Sequence, residues 1–233
     1  PETVVAIDAP LTLTACVRAG TAVTYEEMKD RGPEWTEPFI AAMHRNAFER
    51  APEVVRAAGS EGVRRMLDVG GGSGAYSIAF AQASPDLQAE VFDLPAVTAI
   101  AARHIREAGL EGRVSIRAGD LRTDDFGSGY DLVWVSAICH MLSPEENRSL
   151  LARCFRALAA GGRVAIADFI LEPDKTAPKF AALFSLNMLV GTQAGASYSV
   201  DEYTAWLSEA GFERIEHRRL PGPAGLMIGA RPR

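Results

Sequence analysis

The run Asp68-Val69-Gly70-Gly71-Gly72-Ser73-Gly74 sits between a short apolar stretch and a helical one. Only glycine permits so tight a turn and so close an approach of a ligand to the backbone. The helix that follows offers unpaired N–H groups. Alone, such a turn is a weak signal that a purely structural turn also gives; its neighbours give it chemistry. A second apolar stretch ends in Asp93-Leu94, where a carboxylate can accept both hydroxyls of a ribose. A third runs into Gly119-Asp120-Leu121, where another acid can reach an adenine amino group, although Asp120 can equally serve to cap its own loop. Ser136, at the end of a fourth stretch, joins the same set. Acids at the ends of three successive strands fit one crevice. A dinucleotide or S-adenosylmethionine would suit it. The position of Asp68, two residues before Gly70, separates the two. A pyrophosphate at a helix N-terminus is disfavoured by a nearby carboxylate, whereas the ammonium of a methionine moiety tolerates one.

The elements that must position these residues follow from periodicity. From Arg64 onward, short apolar runs alternate with helical segments, the pattern of βαβ units and a mostly parallel sheet. Strands are expected at Arg65 to Val69, Ala89 to Asp93, Val114 to Arg117, Asp131 to Ile138 and Arg163 to Phe169. Helices are expected at Ala75 to Ala83, Pro95 to Ala108 and Pro144 to Leu158, the last capped by Ser143 and stopped by Gly161-Gly162. An apolar helix over Phe180 to Val190 and another over Val200 to Ala210 precede a closing pair of strands, Phe212 to Glu216 and Leu226 to Ala230. Pro221, Gly222, Pro223 and Gly225 would turn that pair. Before residue 60, Pro33, Pro38 and Pro52 predict short helices, one starting at Glu37-Pro38, with Phe39, Ile40, Met43 and Phe48 on a common apolar face.

Composition sets the outer limits. The chain has 233 residues, 48% apolar and 23% charged, ordinary for a globular protein. A net charge of −6 argues against a nucleic-acid partner. Cys16, Cys139 and Cys154 are odd in number and lack CxxC spacing, which argues against disulfides and a zinc site and for a reducing cytoplasm. His44, His104 and His217 have no metal-ligand spacing, and no metal is expected. No apolar run reaches membrane-spanning length, and no signal peptide opens the chain. The first residue is Pro1, so the chain reads as part of a longer protein.

The glycine-rich run, with Leu67 before it, resembles motif I of class I S-adenosylmethionine-dependent methyltransferases. Ile138-Cys139-His140, followed by Ser143-Pro144-Glu145-Glu146, resembles the catalytic histidine segment of the O-methyltransferases that include plant caffeate and bacterial polyketide-tailoring enzymes. Ala167-Asp168-Phe169-Ile170-Leu171 resembles that family's acidic segment after the fifth strand. The resemblance spans roughly residues 35 to 233. It implies a Rossmann-like α/β fold: a mostly parallel seven-stranded sheet with helices on both faces and one closing antiparallel strand. It also implies that residues 61–233 form the catalytic domain and 1–60 the junction with an N-terminal dimerisation domain, so that the full-length protein is a homodimer.

The resemblance assigns roles residue by residue. His140 would be the general base that takes a hydroxyl proton, with Asp168 as its acid. Asp68, Gly70, Gly71, Gly72, Gly74, Asp93, Leu94, Gly119, Asp120, Leu121 and Ser136 would hold S-adenosylmethionine and its product S-adenosylhomocysteine. Met43 would lie near the cofactor sulfur or the acceptor. Phe39, Phe180, Phe184, Asn187 and Met188 are candidate walls for a small hydroxylated acceptor. Family members often carry an acid and a tryptophan after the histidine, where this chain has Met141 and Leu142, and Ser197 replaces a second orienting acid. A neutral imidazole suits proton removal near pH 7. Cys139 is no nucleophile, because adjacent residues of an extended segment face opposite ways. Rival readings are transfer to nitrogen or carbon, S-adenosylmethionine binding without turnover, and a nicotinamide oxidoreductase.

Overall fold

The computed structural model describes residues 12–220 and 222–233; Pro221, one of the expected turn residues, lies outside them. Seven strands form one sheet in the order β3-β2-β1-β4-β5-β7-β6. They are β1 (Arg65–Val69), β2 (Gln88–Asp93), β3 (Val114–Ala118), β4 (Tyr130–Ser136), β5 (Leu158–Asp168), β6 (Glu213–Arg219) and β7 (Gly225–Ala230). The first five run parallel, and β7 is antiparallel to both of its neighbours. From β1 the chain winds outward through β2 and β3, then returns to place β4 on the other side of β1. The strand order therefore reverses between β1 and β4, and a crevice opens there at the carboxyl ends.

Seven helices appear among the described residues: α1 (Leu13–Ala19), α2 (Pro33–Ala58), α3 (Ala75–Ala83), α4 (Pro95–Glu107), α5 (Pro144–Ala157), α6 (Lys179–Gly191) and α7 (Val200–Glu209). Strand alternation divides the core between the two faces of the sheet. Met66, Val91, Leu132 and Trp134 pack with Ile78 and Phe80 of α3, Ile105 of α4 and Val54 of α2. Leu67, Val69, Val133 and Val135 face the other way, onto Leu150 and Leu151 of α5 and Tyr203 and Trp206 of α7. Ser143 and Glu146 form a reciprocal cap on α5, and Ser199 and Glu202 do the same for α7.

Several boundaries differ from expectation, each for a local reason. The prolines do not divide the N-terminal region: α2 is one 26-residue helix that contains both Pro38 and Pro52. It starts at Pro33, not at Glu37-Pro38. Each internal proline removes one helical N–H, but burial of Ile40, Ala51, Val54, Val55 and Ala58 holds the helix together. Met43 and Phe48 do not share the buried face of Ile40; they are 40% and 57% exposed. Gly161 and Gly162 do not stop α5. The helix ends at Ala157, where Leu158 turns extended, and both glycines lie inside β5. β4 ends at Ser136, because Ala137 takes a φ of +55° and breaks the strand. β6 begins later and runs further than expected, to Arg219.

Candidate active site

The glycine turn crosses the end of β1 next to β2, where Gly70 N–H donates to Phe92 O (2.8 Å). Gly70 has a φ of +66°, and a Cβ there would collide with Ile138. Gly72 has a φ of +58°, and a Cβ there would meet nothing within 4 Å among the described residues; the turn presents bare backbone on this side. Gly72 N–H donates to Asp93 Oδ2 (2.8 Å), and Leu94 N–H donates to Asp93 Oδ1 (2.7 Å). Burial pushes the Asp93 carboxyl up to about 6, against the pull of these two bonds.

Asp68 lies beneath the turn. It is buried, accepts from Ser77 Oγ (2.7 Å) and stands 2.8 Å from where a Cβ on Gly71 would be. Alternation along β1 places it on the α3 side, with Met66. Burial pushes its carboxyl up to about 7, opposed by the Ser77 bond and reinforced by the charge of Asp93. Across the crevice, Asp120 is half-buried and accepts from Arg122 N–H through Oδ1 (2.8 Å), the loop-capping role open to it. Gly119 lies against the Phe92 ring, and Leu121 near Gly70. Ser136 ends β4 on the side of the Tyr76 hydroxyl of α3.

His140 occupies a short 3₁₀ turn, Cys139–Met141, just beyond β4, not an extended segment. It is buried, and its Nδ1–H donates to Asp168 Oδ1 at 2.6 Å. The same carboxylate accepts from His140 N–H (3.2 Å), Phe169 N–H (2.7 Å) and Tyr203 O–H (3.4 Å). Aromatic rings surround the imidazole: Phe184 at 4.9 Å, edge to face, and Phe169 at 6.0 Å. Phe180 packs on Phe169 at 5.0 Å. Cys139 is buried, and burial raises its thiol well above the usual range; it is no nucleophile.

The other sequence-derived wall residues scatter. Met188 is buried in α6, while Asn187 is exposed. Phe39 stacks on Trp35 at 4.6 Å and packs with Ile40, Val97, Ile100 and Leu94. Ser197 is buried, and its hydroxyl has no hydrogen-bond partner among the described residues. Tyr203 is absent from the sequence-derived set, because an aromatic residue on a buried helix face has no local mark of function. His44 is likewise absent from it, yet its Nδ1 lies 2.8 Å from Ser73 Oγ in the turn. The arrangement combines a backbone cradle and an acid for a nucleoside with an imidazole whose orientation a carboxylate controls.

A family model described as "O-methyltransferase domain" matches residues 17–213. The chain belongs to that family. Within it, the chain is 43% identical over 172 residues to the 3-hydroxy-5-methyl-1-naphthoate 3-O-methyltransferase of Streptomyces sahachiroi, covering 73% of this chain and 50% of the relative. It is 32% identical over 204 residues to the L-tyrosine C(3)-methyltransferase of Streptomyces lavendulae, covering 85% of this chain and 56% of the relative. The chain thus spans about half the length of these relatives. The structure of PigF with SAH superposes with a TM-score of 0.86 at 29% identity, covering 96% of this chain and 69% of that one. The fold is the class I methyltransferase fold expected from motif I.

Proposed function

We propose that this chain is the catalytic part of an S-adenosylmethionine-dependent O-methyltransferase acting on a hydroxyl of a small aromatic or polyketide-like molecule. The observation that carries the reading is the buried His140–Asp168 pair, 2.6 Å from Nδ1 to Oδ1, at the carboxyl end of the strand beside the glycine turn. The residues fit the cofactor. The space over Gly72, clear of the described residues, leaves its backbone accessible, and Asp93 is only partly buried and keeps lone pairs for a ribose. In this reading Gly70 to Gly74 hold the methionine portion, Asp93 and Leu94 the ribose, and Gly119, Asp120 and Leu121 the adenine, with Asp68 and Ser136 shaping the floor. When bound, S-adenosylmethionine supplies an electrophilic methyl group on a sulfonium, which leaves as the neutral thioether S-adenosylhomocysteine.

The protein's own contribution is to the acceptor. With Nδ1–H donating its hydrogen bond to Asp168, the lone pair sits on Nε2, which takes the hydroxyl proton as the oxygen attacks. A phenol with a pKa of about 10 is a poor nucleophile until that proton leaves. Asp168 then stabilises the imidazolium. Phe169 and Phe184 line the side of the imidazole and suit a flat ring.

The relative named as a C(3)-methyltransferase supports a second reading, in which a carbon accepts the methyl group and His140 removes a phenolic proton without oxygen being methylated. Both are tested by incubating the protein with S-adenosylmethionine and a panel of hydroxynaphthoates, other hydroxylated aromatics and tyrosine. Mass spectrometry would detect methyl gain, and NMR would locate the methyl. Methyl on oxygen supports the first reading, and methyl on ring carbon replaces it with the second. Cofactor binding with no methylated product across the panel counts against turnover.

We also propose that residues 61–233 act as the cofactor-binding domain and that 1–60 join it to a dimerisation domain in a cytoplasmic homodimer. No helix among the described residues is long and apolar enough to cross a membrane. Val17, Phe180, Leu183 and Leu186 expose apolar side chains on α1 and α6, and these two helices touch. Such a patch suits a subunit contact.

A further inference from the structure

We propose that His44 is a positioning residue for the glycine turn, tying α2 to the cofactor site through Ser73. This rests on the cofactor reading above. Between Gly70 and Gly74, Ser73 is the sole residue with a side chain beyond Cα, so it is the one handle by which a side chain elsewhere can grip the turn through a side-chain bond. That hydroxyl belongs to a buried residue and lies 2.8 Å from His44 Nδ1.

The surroundings fix the imidazole. It stacks on the His104 ring of α4 at 3.9 Å and 7°, and on Phe48 at 5.5 Å. His104 is paired in turn with Glu107 of its own helix (3.4 Å). Burial and the neighbouring His104 lower the His44 pKa, which favours a neutral ring beside the helix N-terminus that follows the turn. α2 is anchored to the body on either side of this point. Ile40 packs with Val97 and Ile100, and Val54, Val55 and Ala58 enter the α3 side of the core. In the stretch between, Met43 and Phe48 are exposed. His44 therefore links a rigidly held helix to the turn at Ser73, the residue after the one that Asp93 holds. Together the two ties restrict a backbone that glycine otherwise leaves free, and so lower the entropy lost when a ligand orders it.

The test is titration calorimetry with S-adenosylhomocysteine on the parent chain, His44→Ala, Ser73→Ala, the double variant and His44→Asn. A single neutral hydrogen bond predicts a loss of about five- to tenfold for each alanine variant. The double variant should be no weaker than the worse single one, because both remove the same link. In His44→Asn the side-chain amide stands where Nδ1 was and should restore affinity to within about twofold of the parent. Parental affinity in His44→Ala, additive losses, or an asparagine variant as weak as alanine would each overturn the proposal. Amide exchange of the ligand-free turn gives a second readout. It should quicken in His44→Ala and Ser73→Ala but not in His44→Asn, and unchanged exchange in both alanine variants also overturns the tie. A parent that exchanges as expected but binds no S-adenosylhomocysteine would sink the cofactor reading instead.

Discussion

Replacing Asp168 by Asn changes one atom and sets four hydrogen bonds against each other. The carboxylate accepts from His140 Nδ1–H (2.6 Å) and Phe169 N–H (2.7 Å) on Oδ1, and from His140 N–H (3.2 Å) and Tyr203 O–H (3.4 Å) on Oδ2. An amide supplies one acceptor oxygen and one donor NH₂. Whichever way it turns, one backbone N–H, of Phe169 or of His140, faces the NH₂ and loses its acceptor, at about 1–3 kcal/mol, while the imidazole or the Tyr203 hydroxyl on that side must reverse from donor to acceptor. A domain's whole stability is about 5–15 kcal/mol, so the variant should fold with a lower melting temperature. If the NH₂ faces His140, the imidazole must accept at Nδ1 and carry its proton on Nε2, where it cannot act as a base. If the oxygen faces His140, the charge that would stabilise the imidazolium is gone. Turnover should fall by about 10²–10⁴-fold. Affinity for S-adenosylhomocysteine should stay within about twofold, because Asp168 faces the α5 and α7 side whereas Asp68 lies on the other face. The loss should shrink at alkaline pH, where a phenol with a pKa of about 10 ionises unaided. Steady-state rates on the acceptor found in the screen, with calorimetry and thermal melts on the same preparations, read all of these. A folded Asp168→Asn protein with parental turnover at neutral pH would refute the role given to the pair.

Asp93→Ala should weaken S-adenosylhomocysteine binding about tenfold or more, since charge-assisted hydrogen bonds are worth roughly 1.5–3 kcal/mol each; unchanged affinity by calorimetry would remove Asp93 from the cofactor site. The folded-state pKa of Asp68, raised to about 7 from an ordinary 3.8, means that the folded chain takes up this proton before the unfolded chain does. Stability should therefore rise as pH falls from about 8 toward 5, and Asp68→Asn should reduce that rise to the share left by Asp93, whose carboxyl is raised to about 6. His44 and His217, whose lowered values act in the opposite direction below their ordinary 6.5, are common to both proteins. Parallel melting curves against pH for parent and variant would contradict the Asp68 assignment. The full-length protein should be a dimer by light scattering, and a clean monomer at micromolar concentration would end the subunit-contact reading of α1 and α6.

Local sequence determined most of the elements and the types of group in the site. Helix α3 and strand β1 follow from apolar spacing and the glycine turn between them, and α5 from Ser143, Pro144 and Glu146, because period, caps and breakers act within a few residues. Motif I placed Asp68 next to the turn, and the ends of β2 and β3 brought Asp93 and Asp120 toward it. Tertiary structure decided which groups touch. His140 and Asp168 lie 28 positions apart, and Asp168 and Tyr203 lie 35 apart. No periodicity connects such residues; they meet because β4 and β5 pair in parallel and α7 covers the same face. The link from His44 to Ser73, likewise, exists only because α2 crosses the turn. Tertiary packing also overrode local rules in α2, where Pro38 and Pro52 each remove a helical hydrogen bond but burial of one face maintains the helix. A proline penalty acts at one turn of helix, whereas the burial that opposes it accumulates along the whole length, and chain-neighbour reasoning cannot see that sum.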